Sequence, residues 1–325
     1  MTKQKDLTVS IMKFFAIFSV ICAHCNSVSA SAPFFAQTSS RFWQQIGTIG
    51  VIIFFIVSGA LFHYNKYSLK GFVIKKLLNL FIPWVISGSI VYFYVYIRKP
   101  PITFLSWLYY IIGNGSYLYY LTILFICYSF FYFLKPLRHT YSLIIISVLT
   151  IVSVCLIHDK GVITPYLDIF NWIGYFSFGI LLSRYKDNAI RIFSNIEKIK
   201  LMIYFVFITS LILRSILKTN ITYWGTLNFV CIVFGAVSFA LISKTLSNHF
   251  MFSKHLVALG DNSLFIYLWH MPVAGIVANI MNRGLFVYGV PLRPFIVLTI
   301  MIVVLHIAKK LVCKNSFVSA IIGLK

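Results

Sequence analysis

Residues 8–30 read TVSIMKFFAIFSVICAHCNSVSA. A helix that spans a bilayer needs about 20 mostly apolar residues. This stretch supplies them, interrupted by Lys13 near its start and by His24 and Asn26 near its end. Lipid holds no water to satisfy backbone N–H and C=O groups, so a run of this length reads as helix. The same residues decide whether the helix is retained. Lys3 and Lys5, with VSA at 28–30 or ASA at 30–32, imitate a secretory leader. Lys13 breaks the apolar core such a leader requires. Met1 or Thr2 is therefore expected to begin the mature protein, and His24 to be kept.

The rest of the chain has the same character. Of its 325 residues, 60% are hydrophobic and 10% charged, against about 45–50% and about 25% in soluble domains. Further apolar runs follow at 46–63, 77–97, 117–134, 141–157, 168–184, 200–217, 223–243, 263–281 and 294–312. No linker, repeat or soluble domain separates them. The expectation is an all-α, polytopic membrane helix bundle of about ten transmembrane helices, a single integral-membrane domain over residues 1–325.

The formal net charge of +22 would point to nucleic acid only if the basic residues clustered on a soluble surface. Here they sit in short segments between apolar runs, the pattern that orients membrane proteins. With the N-terminus inside, 20 of the 28 Lys and Arg residues fall on the cytoplasmic side. Arg41, Arg98, Lys99, Lys160, Arg214, Lys218, Arg283 and Arg293 fall outside. The partner surface is membrane lipid and not nucleic acid. The expected location is the inner (plasma) membrane, multi-pass, with both termini cytoplasmic.

Within the first run, Lys13 and His24 are eleven residues apart, just over three helical turns, so they share a face about 16 Å apart along the axis. Lys13 can snorkel to the surface; His24 cannot. An ionisable group at that depth faces the bundle interior or a wet cavity, either as a working residue or as a neutral histidine bonded to a neighbouring carbonyl. Cys22 and Cys25 flank it. No second Cys/His pair lies nearby to complete a zinc site, and no metal is expected. A redox dithiol favours an exposed helix N-terminus, so small packing residues beside His24 are the preferred reading.

Three further stretches carry polar groups. In IGVIIFFIVSGALF, 49–62, Ser58 and Gly59 are small enough for close helix approach. In KYSLKGFVIKKLLNLFIPW, 66–84, the cluster Lys66, Lys70, Lys75 and Lys76 fits cytoplasmic anchoring or a phosphate partner. In LGDNSLFIYLWHMPV, 259–273, Asp261, Asn262 and Ser263 are good N-cap types, with Tyr267, His270 and a helix-breaking Pro272 inside the run. The clusters Tyr92, Tyr94, Tyr96 and Tyr117, Tyr119, Tyr120 read as interfacial belts.

Together these motifs resemble acyltransferase family 3, integral-membrane acyltransferases that decorate cell-surface glycans. The likeness covers nearly the whole chain. A basic residue, ten residues and a histidine are met by Lys13 and His24. GVIIFFIVSG, 50–59, matches the family's second-helix signature, and SLFIYLWHMP, 263–272, its Ser-x-x-x-Tyr-Leu-x-His-x-Pro signature. One departure is KLLN, Lys76 to Asn79, where the family often has Arg-x-x-Arg.

The resemblance implies transfer of acetyl, or another short acyl group, from cytoplasmic acyl-CoA to a hydroxyl of a glycan such as O-antigen or exopolysaccharide. Acetyl-CoA would be a co-substrate, with no cofactor bound permanently. His24 would be catalytic, as general base or as acyl carrier. Lys13, Lys75, Lys76, Ser58 and Gly59 would meet the acyl donor, and Tyr267 and His270 would support the site or face the acceptor. The sequence matches the family's short form, without an extracytoplasmic hydrolase-like domain. A non-enzymatic polysaccharide exporter or flippase of the same pathway is the competing class. A glycan polymerase fits less well, because it would more typically show a large outer loop with catalytic charges, and the expected outer loop 31–45 is short and holds only Arg41.

Overall fold

The computed structural model describes residues 7–25, 28–29, 31–63, 68–97, 102–159, 161, 164–248, 250–312 and 315–324. The expectations placed on Met1, Thr2, Arg98 and Lys325 lie outside these residues, as does Asn26. In chain order the α-helices are α1 Leu7–His24, α2 Phe34–Gly47, α3 Gly50–Ala60, α4 Leu69–Lys76, α5 Ile82–Tyr96, α6 Phe104–Ile112, α7 Tyr119–Phe133 and α8 Thr140–Leu156. They continue as α9 Ile173–Arg184, α10 Lys186–Lys198, α11 Lys200–Ile216, α12 Thr226–Ser247, α13 Phe250–Asp261, α14 Ser263–Met281, α15 Arg293–Val312 and α16 Ser316–Ile321. A π-helical turn, Leu77–Phe81, joins α4 to α5, and a 3-10 segment, Gly284–Leu292, joins α14 to α15. No strand occurs among the described residues.

Every apolar run of the sequence contains helix. Among the described residues, six stretches are long and apolar enough to cross a membrane: Leu7–His24, Phe34–Ala60, Leu69–Tyr96, Thr226–Ser247, Ser263–Met281 and Phe286–Val312. A seventh arises if α10 and α11, bent by 74° at their junction, count as one span; α7 and α8 are apolar but shorter. Residues 31–45, expected as an outer loop, instead hold most of α2. Their Gln, Ser and Thr side chains dilute the hydropathy, but Ala36, Ser40, Gln45 and Ile46 are buried on one side of a regular helix.

Two compact units are built from interleaved stretches of chain. The first comprises Met1–Phe54, Ile190–Tyr223 and Leu227–Ile307; the second comprises Phe55–Ala189, Trp224–Thr226 and Ala308–Lys325. In the first, α1 packs against α2, α13 and α14, and α2 against α11. Two glycines let backbones touch. A Cβ on Gly260 would lie 1.8 Å from the Ser10 carbonyl oxygen, and one on Gly47 would lie 2.5 Å from Ala23 Cα. Polar side chains fix the register: Ser10 Oγ donates to Asp261 Oδ1 at 2.9 Å, and Ser19 Oγ accepts from the Gly50 amide at 2.8 Å while donating to the Ile46 carbonyl.

In the second unit α8 packs against α9, and α9 crosses residues 55–60 of α3. Aromatic rings fill its core. Trp172, fully buried, has ring centroids of Tyr119, Phe55 and Trp224 within 5.4–5.6 Å. The tyrosines expected as interfacial belts are largely part of this interior. Tyr92, Tyr117, Tyr119 and Tyr120 are buried, and only Tyr94 is strongly exposed. Tyr92 stacks on Tyr96 at 4.8 Å and bonds Ser106 Oγ through its hydroxyl at 2.6 Å. Burial of a ring contributes more than its placement at an interface when the hydroxyl finds a partner inside.

Candidate active site

The C-terminal end of α1 carries His24 in the first unit. The Gly47 approach at Ala23 clamps the backbone one residue before it. Across from it, α14 presents His270, with the two ring centroids 5.1 Å apart and the planes at 51°. His24 is half-buried and His270 fully buried. His270 Nδ1 lies 2.7 Å from the Tyr267 carbonyl oxygen one turn earlier. A carbonyl only accepts, so Nδ1 carries the proton and Nε2 carries the lone pair. Pro272 lacks the N–H that would close on the Leu268 carbonyl.

The N-cap expectation for α14 fails in detail. Asn262 occupies the N-cap position, but its amide donates back to the Ala258 carbonyl at 2.7 Å instead of capping. Asp261 is the last residue of α13 and holds Ser10. The Ser10–Asp261 bond ties α13 to α1, the helix that carries His24.

Cys22 and Cys25 are free, buried thiols, and Cys25 lies in the neighbourhood of Arg293. Arg293 opens α15 and is fully buried; its Nη2 donates to Asn282 Oδ1 at 2.6 Å. The 3-10 segment between α14 and α15 folds these two residues together. Sequence reasoning counted Arg293 among outer loop charges and missed Asn282. A short loop between two apolar runs, closed by an arginine beside Pro294, was the available signal.

Lys13 lies on the same helix as His24, as expected, and is half-buried. Ser58, Gly59, Lys75 and Lys76 belong to the second unit. There Ser58 lies beside the hydroxyls of Tyr120 and Tyr128, and Lys76 Nζ sits 3.0 Å from the Tyr128 ring centroid. Ser58 and Lys76, distant in sequence, thus meet on one tyrosine. Lys75 is exposed, and its carbonyl accepts from Asn79 Nδ2 at 2.9 Å. Gly59 has a packing duty: a Cβ there would fall 1.9 Å from the Phe176 carbonyl oxygen, and one on Gly179 would fall 2.0 Å from that of Ile56.

The fold and these groups define an all-helical membrane protein with a histidine pair inside one unit. A family described as Acyltransferase domain matches residues 7–308, nearly the whole chain. The protein belongs to acyltransferase family 3 and is an acyltransferase. No curated protein and no solved structure matches it.

Proposed function

We propose that the protein moves an acetyl or other short acyl group from cytoplasmic acyl-CoA to a hydroxyl of a cell-surface or lipid-linked glycan. It does so as a bundle of ten spans in the inner membrane, with both termini in the cytoplasm. The observation that carries this reading is the pairing of His24 with His270 in a chain of this family. His270, anchored through Nδ1 to a carbonyl, presents an acceptor nitrogen that can hold a His24 N–H, which turns the other His24 nitrogen toward substrate as a base.

His24 takes the proton of the glycan hydroxyl. The oxygen attacks the thioester carbonyl, the C–S bond breaks, and the departing thiolate of coenzyme A receives the proton as the new ester forms. Acyl transfer through His24 itself is the variant chemistry. The positive charge of buried Arg293 favours negative charge developing nearby. The donor is assigned to Lys13, Lys75, Lys76, Ser58 and Gly59, the lysines by charge on its phosphates.

Mass spectrometry of surface glycans from cells with and without the protein tests the reading. Loss of one acetyl increment per repeating unit is expected, with glycan quantity unchanged. Glycan retained inside the cell with its acylation intact would instead assign the protein to export.

A further inference from the structure

A second polar cluster in the first unit lies on α2, α11 and the turn into α12. Arg41 and Gln45 are four residues apart on α2 and so share a face. Gln45 Nε2 donates to the Leu211 carbonyl at 2.9 Å and to Ser215 Oγ at 2.7 Å, which locks α2 onto α11. That lock brings Arg41 to Arg214, and the two guanidiniums converge on Thr219. Arg41 Nη2 donates to the Thr219 carbonyl, and Arg214 Nε donates to its hydroxyl at 3.3 Å. Arg214 Nη2 also donates to the Asn220 carbonyl at 3.1 Å and to Asn228 Oδ1.

Arg214 is 7% exposed, and Arg41 Nε is buried with no hydrogen-bond partner among the described residues. Every partner of these guanidiniums is a neutral oxygen; among the described residues no carboxylate pairs with either. Two like charges brought together this way repel each other, and buried charges are ordinarily compensated by opposite ones. The adjoining turn adds a third cation. Lys218 has φ 53°, the one non-glycine residue in the left-handed region among those described. The Thr219 amide closes this turn on the Arg214 carbonyl at 3.3 Å, a position where glycine would be less strained.

The surroundings select the ligand. Leu213, Ile216, Leu217 and Leu227, adjacent in chain to these polar groups, are 48–70% exposed, a lipid-facing skin beside a cationic cluster at helix ends. Lys218 and Asn220 are exposed beside it. We propose that Arg41 and Arg214, with Asn228, form a binding site for the phosphate headgroup of a membrane amphiphile. Paired guanidiniums match phosphate oxygens in geometry and charge, and the apolar skin receives the chains. The headgroup comes either from an anionic phospholipid or from a polyprenyl phosphate of the kind that carries glycans. The site is separate from the histidine pair and stands whichever base the transfer uses.

The test titrates purified full-length protein in detergent with phosphatidylglycerol, polyprenyl phosphate, diacylglycerol and inorganic phosphate, reading thermal stabilisation and native mass spectra. Phosphatidylglycerol, polyprenyl phosphate or both should bind, and the tighter of the two identifies the source. Diacylglycerol, which lacks the phosphate, should not bind. Arg41→Gln, whose single hydrogen bond to a carbonyl an amide can replace, should weaken binding about tenfold or more. Arg214→Gln should do the same if it folds. Undiminished binding by Arg41→Gln, or equal binding of diacylglycerol, overturns the phosphate site. Equal affinity for inorganic phosphate overturns the role of the apolar skin.

Discussion

At the scale of single residues, His24 is the group on which the chemistry turns. It is half-buried against His270, so its replacement removes a proton acceptor without opening a large cavity. Asparagine is polar and shorter by little, but takes up no proton near neutral pH. General-base assistance is worth about 10²–10⁴ in rate, so His24→Asn should lose nearly all transfer at normal membrane abundance while donor binding persists. Coenzyme A release with acceptor present, beside calorimetry of donor binding, measures the two separately; transfer above about a tenth of the normal rate would make His24 a packing residue. Lys76 invites the complementary experiment. Lys76→Ala should raise the Michaelis constant for the donor, with Lys76→Arg milder, because a charge facing phosphates is at stake. Equal constants would leave the lysine only its place over the Tyr128 ring. The sequence pointed to His24, Tyr267 and His270 because intramembrane ionisable groups and a proline stand out against apolar neighbours. It hid Arg293 and Arg214, because a basic residue near the end of an apolar run looks the same whether it faces water or folds inward onto an asparagine.

At the scale of helices, two glycines of equal sequence prominence have opposite meanings. Gly260 meets the Ser10 backbone, whereas a Cβ on Gly275 would find nothing within 4 Å. Replacing helix-interior glycine by alanine gains about 0.5–1 kcal/mol, and forcing a methyl into a filled contact costs about 1–3 kcal/mol. Gly260→Ala should therefore destabilise, since the obstacle is backbone and cannot turn aside, while Gly275→Ala should be neutral or stabilising. Thermal unfolding of both variants in detergent checks the pair; a rise for Gly260→Ala would mean that α1 and α13 slide freely. The helices themselves were legible wherever apolar residues ran on without a break, as in α12 and α15. They were not legible where packing is polar. α2 carries Gln45, Ser40 and Arg41 toward its neighbours, and hydropathy alone reads such a segment as a loop. The tyrosine clusters misled for the related reason that a hydroxyl satisfied inside, as Tyr92 is by Ser106, makes an amphipathic ring an interior one.

At the scale of the whole molecule, orientation follows from the distribution of lysine and arginine. The sequence assigned eight basic residues to the outer side, two of them Arg214 and Arg293. Both are buried, so neither acts as a free loop charge. Orientation responds to charges close to span ends, and we propose on that ground that α10, with its lysines and no buried residue, lies on the cytoplasmic side. The segment between α6 and α7 is assigned to the outside. Asn114 and Asp187 are exposed and make matched probes of the two sides. Asn114→Cys should react with a membrane-impermeant maleimide in intact cells, and Asp187→Cys only after the membrane is permeabilised. Among the described residues the natural thiols give little background, since Cys22, Cys25 and Cys127 are buried and Cys155 and Cys231 half-buried; the sixth, Cys313, is replaced by serine in both probes. Labelling of Asp187→Cys in intact cells, with Asn114→Cys protected, would invert the molecule. It would also put the lysines of α4 on the side away from cytoplasmic acyl-CoA, and the donor would then have to be something other than coenzyme A.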